Sequence, residues 1–562
     1  MLDGGYYFLA YADPADNLDT QTRFPLLARP VWLLCSENIV VFRLVCLALI
    51  SIACVAFWLS WRKLLYVKTP EFQSLSLLCI WLAAIAGLTW VPVALTYNSL
   101  ATIFMLFGLS AAQRALGATL DMGASGSQRT LMGFLVIAFA PLIFLSKPPT
   151  AALYLGIVVL LATISPSVPR LIRRILLFAS ILVMLAVGIW LLFFLRQSVA
   201  TAKPIIVAGL FVRPDWIIAT GHRYILEITQ IAPLIGADHL WTLAPLILCS
   251  CFIIAAPAGN MRQKAIIGYG LILVLISITV AFLHGRLWDA SFAEVVTGRV
   301  ARFYILFWNA LIVIVTALMC SRSDRRKMIE ALRGRRQWIA IFLFVPLLSS
   351  FGSTNAAYVS ALHETVFWAS GLVLMADAIA IVTELKWFRS AVAGILCLAA
   401  ISHIYSGEFL RPYMYQPSLW KQNTLTQIGN PKTMLRVDAS LAAFIKNVRA
   451  TLESAGYRPG DDVFGFFNLP GVIFAIGAKE PGAPWYFGTW YHDDDTDGGK
   501  LRRVGLKRRQ EAWVITQADV TRFRGEFVQS GIDFPGGYRK IGQTVNPTTG
   551  LEIEIWKPLT RR

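Results

Sequence analysis

Four aspartates near the amino terminus are the first residues in this chain whose type and spacing could do chemistry. Asp3, Asp13, Asp16 and Asp19 all precede the first long apolar run. Carboxylates beside a membrane are costly unless they face water or a polar cavity, so such a cluster is a candidate functional site. A carboxylate next to a hydroxyl group can act as a general base, so this segment could take the proton from an acceptor alcohol.

The composition of the remaining chain is that of a lipid-soluble protein. Over 562 residues, hydrophobic types make up 56% and charged types 15%, whereas soluble domains contain about a quarter charged residues. The mean hydropathy is +0.60. A net charge of +18 would suggest nucleic acid in a soluble protein. Here much of the Lys and Arg falls in short loops between apolar runs, as in polytopic membrane proteins, so we predict no nucleic-acid partner.

Long apolar runs recur along the chain, and a membrane-spanning helix needs roughly 20 such residues. Runs of about that size, some of them shorter, predict about twelve spans. They lie near 39–60, 75–95, 99–116, 130–146, 150–165, 175–195, 240–257, 265–284, 303–320, 338–352, 362–383 and 390–404. The predicted fold class is an α-helical polytopic membrane protein followed by a small carboxyl-terminal α/β domain.

Basic residues alternate from one connection to the next. They occur near 62–68, 114–129, 170–174, 262–264, 321–337 and 386–389, whereas the connections at 97–98 and 353–361 contain none. Since Lys and Arg accumulate in cytoplasmic loops, the basic set is predicted to be cytoplasmic. The acidic amino-terminal stretch then faces outward, and twelve spans return the carboxyl terminus outward as well.

From about residue 405 the composition becomes that of a soluble domain. We predict an amphipathic helix over 437–456 that ends at Gly456. Further along, the pattern predicts strands over 462–467 and 511–516, a turn and helix over 469–475, and a hairpin of 538–544 with 551–556. The predicted regions are an outward-facing juxtamembrane segment with the acidic motif (1–38), a multi-span domain (39–404) and an extracytoplasmic α/β domain (405–562).

Metal and disulfide chemistry have little support in the sequence. The eight cysteines lie in or beside apolar segments without metal-ligand spacing. Asp493, Asp495 and Asp497 match the first half of a calcium loop, but Val504 stands where such a loop has its glutamate. We interpret the acidic stretch as a solvated loop, with calcium as the less favoured alternative, and predict no metal or other cofactor.

Several short phrases stand out in order along the chain. They are Asp3-Gly-Gly-Tyr-Tyr7, Thr96-Tyr-Asn-Ser-Leu100, Lys147-Pro-Pro-Thr-Ala-Ala152, Phe351-Gly-Ser-Thr-Asn355 and, in the tail, Arg411-Pro-Tyr, Gln422-Asn-Thr and Leu435-Arg-Val-Asp438. The set resembles phrases of the bacterial membrane glycosyltransferases related to the protein mannosyltransferases, and it covers most of the chain. The first resembles Asp-Glu-Gly-Tyr-Tyr, the second Pro-Ser-Tyr-Asn-Ser-Leu, the third Lys-Pro-Thr-Ala-Ala and the fourth Phe-Gly-Thr-Asn of that family.

The resemblance implies a GT-C architecture in a bacterial inner membrane. Such enzymes transfer a hexose or pentose from a polyprenyl-phosphate donor to an acceptor on the outer face, and the acceptor can be a lipid, a polysaccharide or a protein. Their catalytic carboxylate lies in the first outward loop, which corresponds here to Asp3. Asp13, Asp16 and Asp19 are alternative positions, for which helix capping is the structural interpretation.

This chain departs from the family pattern in two ways. Gly4 replaces the second acidic residue of the family motif. A two-step covalent mechanism would need a second carboxylate close by, so we favour a single displacement with inversion and Asp3 as base. In the family a span precedes this motif. We therefore expect either an apolar run encoded upstream of Met1 or the loss of that span.

The departing phosphate needs a cation, and the sugar needs aromatic and hydrogen-bonding groups. Outward candidates for the donor phosphate are Lys147, Arg213, Arg223, Arg286, Arg299 and Arg302. Candidates for the sugar pocket are Tyr6, Tyr7, Tyr97 and Asn98. Membrane-interface roles are the alternatives, namely snorkelling or headgroup anchoring for the cations and a belt position for the aromatic residues.

Two other functional classes stay open. A transporter or lipid flippase would place ionisable residues near the middle of interrupted helices, whereas here they concentrate at the ends of spans and in loops. A non-catalytic scaffold would use the tail domain to bind an envelope partner. The glycosyltransferase hypothesis is the leading one.

Overall fold

The computed structural model describes twelve stretches of the chain and a few positions between them. The stretches are 2–16, 23–89, 93–116, 126–164, 335–349, 361–382, 386–410, 417–429, 433–466, 469–482, 501–517 and 524–559. The further positions are 174, 177–178, 181–182, 185, 330–332 and 412.

Helices make up almost all of the described chain before the tail. They are α1 (Leu2–Ala12), α2 (Phe24–Leu34), α3 (Ile39–Trp61), α4 (Pro70–Ala86), α5 (Tyr97–Leu116), α6 (Gly126–Ser146), α7 (Pro148–Ile164), α8 (Arg336–Leu348), α9 (Thr365–Val382) and α10 (Lys386–Ile404). A 3₁₀ turn (Arg62–Leu64) extends α3, and a π-helical segment (Tyr405–Leu410) extends α10.

The apolar runs predicted between 39 and 165 and between 338 and 404 coincide with α3 to α10, so their helical structure is confirmed. Among the described residues, three helices are long and apolar enough to cross a membrane: Ile39–Leu64, Thr365–Val382 and Lys386–Phe409. The four runs predicted between 175 and 320 lie largely outside the described residues. A twelve-span fold therefore stays a prediction.

The packing of these helices separates a protein-facing side from an apolar outer side. On α3, Phe42, Ile50 and Phe57 are buried, whereas Leu44 and Ile52 are 61% and 57% exposed. A soluble protein seldom exposes large apolar side chains in contiguous patches, so the outer side is suited to lipid. Asn38 begins α3, and its side chain accepts hydrogen bonds from the first backbone N–H groups of the helix.

Three basic connections meet at one end of the helical bundle. Arg335 donates to the carbonyl oxygen of Leu64, and its guanidinium lies 3.4 Å from the centroid of the Tyr66 ring. The Tyr66 backbone N–H donates to Asp377 at 2.6 Å, and Arg389 pairs with the same carboxylate at 3.7 Å. We call this the basic end, defined by Tyr66, Arg335, Asp377 and Arg389. The predicted grouping of these connections on one side is consistent with this arrangement.

The tail combines short helices with two small sheets. Its described elements are β1 (Thr424–Gln427), β2 (Met434–Val437), α11 (Ala439–Ser454), β3 (Val463–Gly465), α12 (Pro470–Ile476), α13 (Leu506–Glu511), β4 (Trp513–Gln517), α14 (Arg524–Gln529), β5 (Tyr538–Val545) and β6 (Glu552–Pro558). The larger sheet has the order β3-β4-β6-β5, with β3 parallel to β4 and the other pairs antiparallel. Strands β1 and β2 form a separate antiparallel pair.

The sequence predicted most of these tail elements. The side chain of Asp438 accepts a hydrogen bond from the Leu441 N–H at 3.0 Å at the start of α11. Gly456, at φ +95°, follows the end of the helix, as predicted for a terminating glycine. The hairpin of β5 with β6 is also confirmed. The β1–β2 pair was not predicted.

The tail packs directly on the amino-terminal helix. Gly5 of α1 lies so close to α12 that a Cβ atom added there would be 2.4 Å from the Gly471 Cα. One helical turn further on, the Phe8 ring stacks on Phe474 of α12 with 5.2 Å between centroids. The second glycine of the predicted Asp3-Gly-Gly-Tyr-Tyr7 motif is therefore required for this close helix contact.

Candidate functional site

Three of the phrases that carry the family resemblance meet at the other end of the bundle. The Thr102 hydroxyl group of α5 lies 3.0 Å from the Asn98 carbonyl oxygen, 3.3 Å from the His363 carbonyl oxygen and 3.2 Å from Glu364 Oε1. Lys147, in the connection between α6 and α7, interacts electrostatically with both Glu364 and His363. We define the Lys147 cluster as Asn98, Thr102, Lys147, Thr150, His363 and Glu364, and we call this end of the bundle the motif end.

Lys147 is held inside the protein by the two helices that flank it. Its N–H donates to the Ile143 carbonyl oxygen at 2.6 Å, and its carbonyl oxygen accepts from the Ala151 N–H at 3.2 Å. The residue is 5% exposed. A buried ammonium is expensive unless an anion or strong acceptors compensate it, so this position is a candidate site rather than a simple anchor.

Glu364 is a buried acid that the sequence reasoning did not select. It is 2% exposed, and the Thr102 hydroxyl group donates a hydrogen bond to its Oε1. Burial raises the pKa of the Glu364 carboxyl group above its usual range, and the positive charge of Lys147 opposes part of that rise. Burial likewise lowers the pKa of the Lys147 ammonium, and Glu364 opposes that shift. Each group thus stabilises the charged form of the other.

His363 is neutral at this position. Its Nδ1 lies 2.9 Å from the Gly87 carbonyl oxygen, which can only accept, so Nδ1 carries the proton. Burial and the neighbouring Lys147 charge lower the pKa of the imidazole to about 4. Its Nε2 is therefore a hydrogen-bond acceptor.

The Lys147 cluster contains polar atoms that the rest of the described chain does not satisfy. These are Asn98 Oδ1, Thr150 Oγ1, His363 Nε2 and Glu364 Oε2, each of them buried. Buried polar groups in folded proteins are normally hydrogen-bonded, so a concentration of such atoms around one ammonium is typical of a binding site. The cluster is suited to a polar ligand that carries both hydroxyl groups and negative charge.

A chain of aromatic rings connects the amino-terminal motif to this end of the bundle. The centroid distances are 5.1 Å from Tyr6 to Tyr7, 5.7 Å from Tyr7 to Phe24 and 6.1 Å from Phe24 to Tyr97. The Arg23 N–H also donates to the Leu145 carbonyl oxygen at 2.9 Å, which places the start of α2 beside the end of α6. The structure thus brings together three of the predicted sugar-pocket aromatic residues, and Phe24 is an addition that the sequence did not indicate.

The predicted acidic residues are distributed differently. Asp3 lies in α1, and its side chain is outside the described part. Asp13 accepts a hydrogen bond from the Asp16 N–H at 3.3 Å. Asp16 pairs with Arg508 of the tail at 2.6 Å. Asp19 is outside the described residues. Asp13 and Asp16 therefore have contacts within the chain, a turn and an ion pair, and neither of these contacts caps a helix.

Arg508 joins the amino-terminal segment to the tail. Besides Asp16, it binds Asp462 through two hydrogen bonds of 2.5 and 2.8 Å. The hydrogen bonds with Asp462 and Asp16 raise the pKa of the guanidinium. Arg508 thus fixes the segment that follows α1 against β3 of the tail.

Other predicted site residues are not covered by the structure. Arg213, Arg223, Arg286, Arg299 and Arg302, as well as the calcium alternative at Asp493, Asp495 and Asp497, lie outside the described residues. Within the described stretches, no group of three or more His, Cys, Asp or Glu side chains is arranged to hold a metal ion.

Comparisons with protein-family models, with curated proteins and with solved structures give no match. Functional inference therefore depends on the residues and their arrangement.

Proposed function

We propose that the chain is an integral-membrane glycosyltransferase that moves a sugar from a polyprenyl-phosphate donor to an acceptor at the extracytoplasmic face of a bacterial inner membrane. The observation that carries this proposal is the meeting of three sequence phrases, near residues 3–7, 96–100 and 147–152, at the motif end. These phrases are far apart in the chain, and a chance resemblance would not require them to be neighbours in space.

The Lys147 cluster supports the electrostatic part of the reaction. A phosphate group departs with increasing negative charge, and a preorganised cation in a water-poor site stabilises such a charge strongly. Lys147 is buried and interacts with Glu364, which accepts a hydrogen bond from Thr102 of the helix that carries Tyr97 and Asn98. We assign Lys147 to the donor phosphate.

Asp3 is the proposed base. It is the only acidic residue of α1, and Gly4, which replaces the second acid of the family motif, is buried. Loss of the acceptor proton to Asp3, formation of the bond from acceptor oxygen to anomeric carbon and breakage of the bond to the phosphate oxygen then complete one displacement. The anomeric configuration is inverted in such a step.

The aromatic chain and Asn98 are the proposed sugar contacts. Tyr6 and Tyr97 are partly exposed, whereas Tyr7 is packed between Tyr6 and Phe24. Asn98 is 4% exposed and has a side-chain oxygen without a partner in the described chain. Stacking of a sugar ring on Tyr6 or Tyr97, with a hydroxyl group donating to Asn98, would use these groups together.

The proposed membrane topology follows from the basic end and the motif end of the helical bundle. Lys and Arg of cytoplasmic loops would form the basic end, and the motif end would face outward. Since α1 packs on α12, the tail domain belongs to the same side as the amino-terminal motif. A transporter is less well supported, because the charged residue inside α9, Asp377, is paired with Arg389 near the start of α10.

The test is transfer of radiolabelled sugar from polyprenyl-phosphate donors in membranes that contain the full chain. We expect transfer with the wild type and its loss in Asp3→Asn at unchanged expression, because an amide cannot take the acceptor proton. Glu453→Gln makes the same chemical change at an exposed position of α11 and should retain activity. Full activity of Asp3→Asn would refute the assignment of the base. No transfer by the wild type from any such donor would refute the proposed reaction.

A further inference from the structure

Glu364 is the one buried acid of the Lys147 cluster, and the proposed reaction gives it no role. Its Oε1 accepts a hydrogen bond from Thr102 at 3.2 Å, and its Oε2 has no partner among the described residues. The side chain lies on the connection that precedes α9, whereas Lys147 lies between α6 and α7. The carboxylate and the ammonium thus come from different parts of the chain, and they interact electrostatically while both are buried.

A phosphate that binds at Lys147 would be the second anion around a single buried cation. Like charges that share a buried site cannot all stay ionised, and one of them takes up a proton. A phosphodiester stays ionised because its pKa is far below neutral. The carboxyl group of Glu364 is therefore the group that would be protonated, and its protonated Oε2 could then donate a hydrogen bond.

We propose that binding of a lipid-linked phosphodiester at Lys147 is coupled to the uptake of one proton by Glu364. The inference rests on the proposed function, since it takes the donor phosphate to bind at Lys147. The proton moves from solvent to the carboxylate oxygen, and no covalent bond of the donor changes in this step. The Lys147 ammonium then faces one anion, the phosphodiester, instead of two, the phosphodiester and the Glu364 carboxylate.

The surroundings of Glu364 favour this proton uptake. The titratable group that interacts with it is Lys147. His363, its neighbour in the chain, interacts with Lys147 as well. His363 stays neutral because its pKa is lowered to about 4. From α5 the contact is the uncharged Thr102 hydroxyl group, and from the end of α4 it is the Gly87 carbonyl oxygen, which binds His363. Burial already raises the pKa of Glu364, so little further change is needed to protonate it.

The coupling predicts how donor affinity depends on pH. Below the pKa of Glu364 the proton is already present, and the affinity is highest and independent of pH. Above that pKa each bound ligand must bring one proton, so the affinity falls by about tenfold per pH unit. In Glu364→Gln the second anion is removed, so affinity should be high and constant over the pH range in which the Lys147 ammonium of this variant stays charged.

The experiment is calorimetric titration of the purified full chain in detergent with a short polyprenyl methyl phosphodiester. This probe contains no sugar and has a constant single charge, so any proton uptake belongs to the protein. Repeating the titration in two buffers of different ionisation enthalpy gives the number of protons. At a pH above the pKa of Glu364 and below that of Lys147 in the variant, we expect one proton per ligand for the wild type and none for Glu364→Gln. Dimethyl phosphate, which lacks the lipid chain, should bind at least about tenfold more weakly.

The outcomes separate the two proposals. Wild-type binding without proton uptake, or an unchanged pH profile in Glu364→Gln, would overturn the coupling and leave the glycosyltransferase proposal standing. Equal affinity for dimethyl phosphate and the polyprenyl phosphodiester would contradict the proposal that the ligand is lipid-linked. Absence of binding by the wild type would overturn the coupling and the assignment of Lys147 to the donor phosphate, whereas the transfer assay decides the proposed reaction. If Glu364→Gln is not monodisperse on gel filtration, the wild-type proton count alone decides between coupling and its absence.

Discussion

The two ends of the helical bundle differ in how they treat buried charge. At the basic end, Asp377 accepts a backbone hydrogen bond from Tyr66 and pairs with Arg389, whose guanidinium also lies 5.1 Å from the Phe72 ring centroid. At the motif end, the Glu364 carboxylate has a single hydroxyl donor on one oxygen and none on the other within the described chain. The basic end pairs its opposite charges with each other, although Asp377 Oδ1 and Arg389 Nε have no hydrogen-bond partner among the described residues. The motif end has four such atoms around a single ammonium.

This difference separates a structural role from a functional one. Charges that are matched within the chain hold connections together, and their loss should mainly reduce stability. Polar atoms that lack partners within the chain cost stability and are retained where a ligand uses them. The variants below test this separation, because substitutions at the basic end should mainly lower stability and substitutions at the motif end should mainly lower sugar transfer.

The largest effect is expected for Asp377→Ala at the basic end. This change leaves Arg389 and the Tyr66 N–H without their buried acceptor, and breaking a buried pair costs about 3–5 kcal/mol of unfolding free energy. Denaturant unfolding of the purified protein measures the loss. Glu71→Ala, at an exposed position of α4 at the same end, should have no comparable effect. Reduced transfer per folded molecule with unchanged stability would contradict the structural role of Asp377.

Lys147→Met is expected to lower sugar transfer by about 100-fold or more, as does the loss of other groups that stabilise a transition-state charge. Its unfolding free energy should fall less than that of Asp377→Ala, because a thioether is easier to bury than an ammonium and Glu364 can take up a proton once the Lys147 charge is gone. Initial rates in membranes and unfolding of the purified protein test the two parts. Lys63→Met is the matched control at an exposed position of the basic end. Normal transfer by Lys147→Met would contradict the assignment of Lys147 to the donor phosphate.

Gly5→Ala is expected to cost about 1–3 kcal/mol, because an added methyl group overpacks the contact between α1 and α12. The displaced α1 should also lower transfer. Gly156→Ala is a matched change at a helical glycine whose added Cβ would meet nothing within 4 Å, and it should be neutral or slightly stabilising. Equal stability of the two alanine variants would contradict the close helix contact.

The smallest effect is expected for Arg508→Gln. The guanidinium is 35% exposed and Asp16 25% exposed, so solvent weakens the pair and its loss should cost about 1 kcal/mol or less. A double-mutant cycle with Asp16→Asn isolates the contact. A coupling energy indistinguishable from zero would show that this bridge does not hold the tail to the amino-terminal segment.

Local sequence patterns were sufficient for most of the described helices. Apolar runs of the right length predicted α3 to α10, and Lys147-Pro148-Pro149 correctly separated α6 from α7. In the tail, Gly456 and the Asn546–Gly550 turn region marked ends that the structure confirms. These features depend on neighbours in the chain, so a single sequence contains them.

The composition of the site could be predicted only in part. The resemblance indicated Lys147, Tyr97 and Asn98, but Glu364 lies at the start of the apolar run 362–383, where an acid is usually taken for a residue of the membrane interface. The adjacent His363 and Glu364 before α9 were the available signal. Contacts such as Arg508 with Asp16 join residues almost five hundred positions apart, and no periodicity in the chain encodes them.

The central claim is that the motif end, and not the basic end, binds the lipid-linked sugar donor. It is tested most directly with a polyprenyl-phosphate sugar that carries a photoreactive group next to the phosphate, followed by mass spectrometry of the labelled peptides. The account predicts label in peptides that contain 97–102, 147–150 or 361–364, and competition by unlabelled donor. Label confined to 62–68 or 386–389, or labelling that excess donor does not reduce, would contradict it.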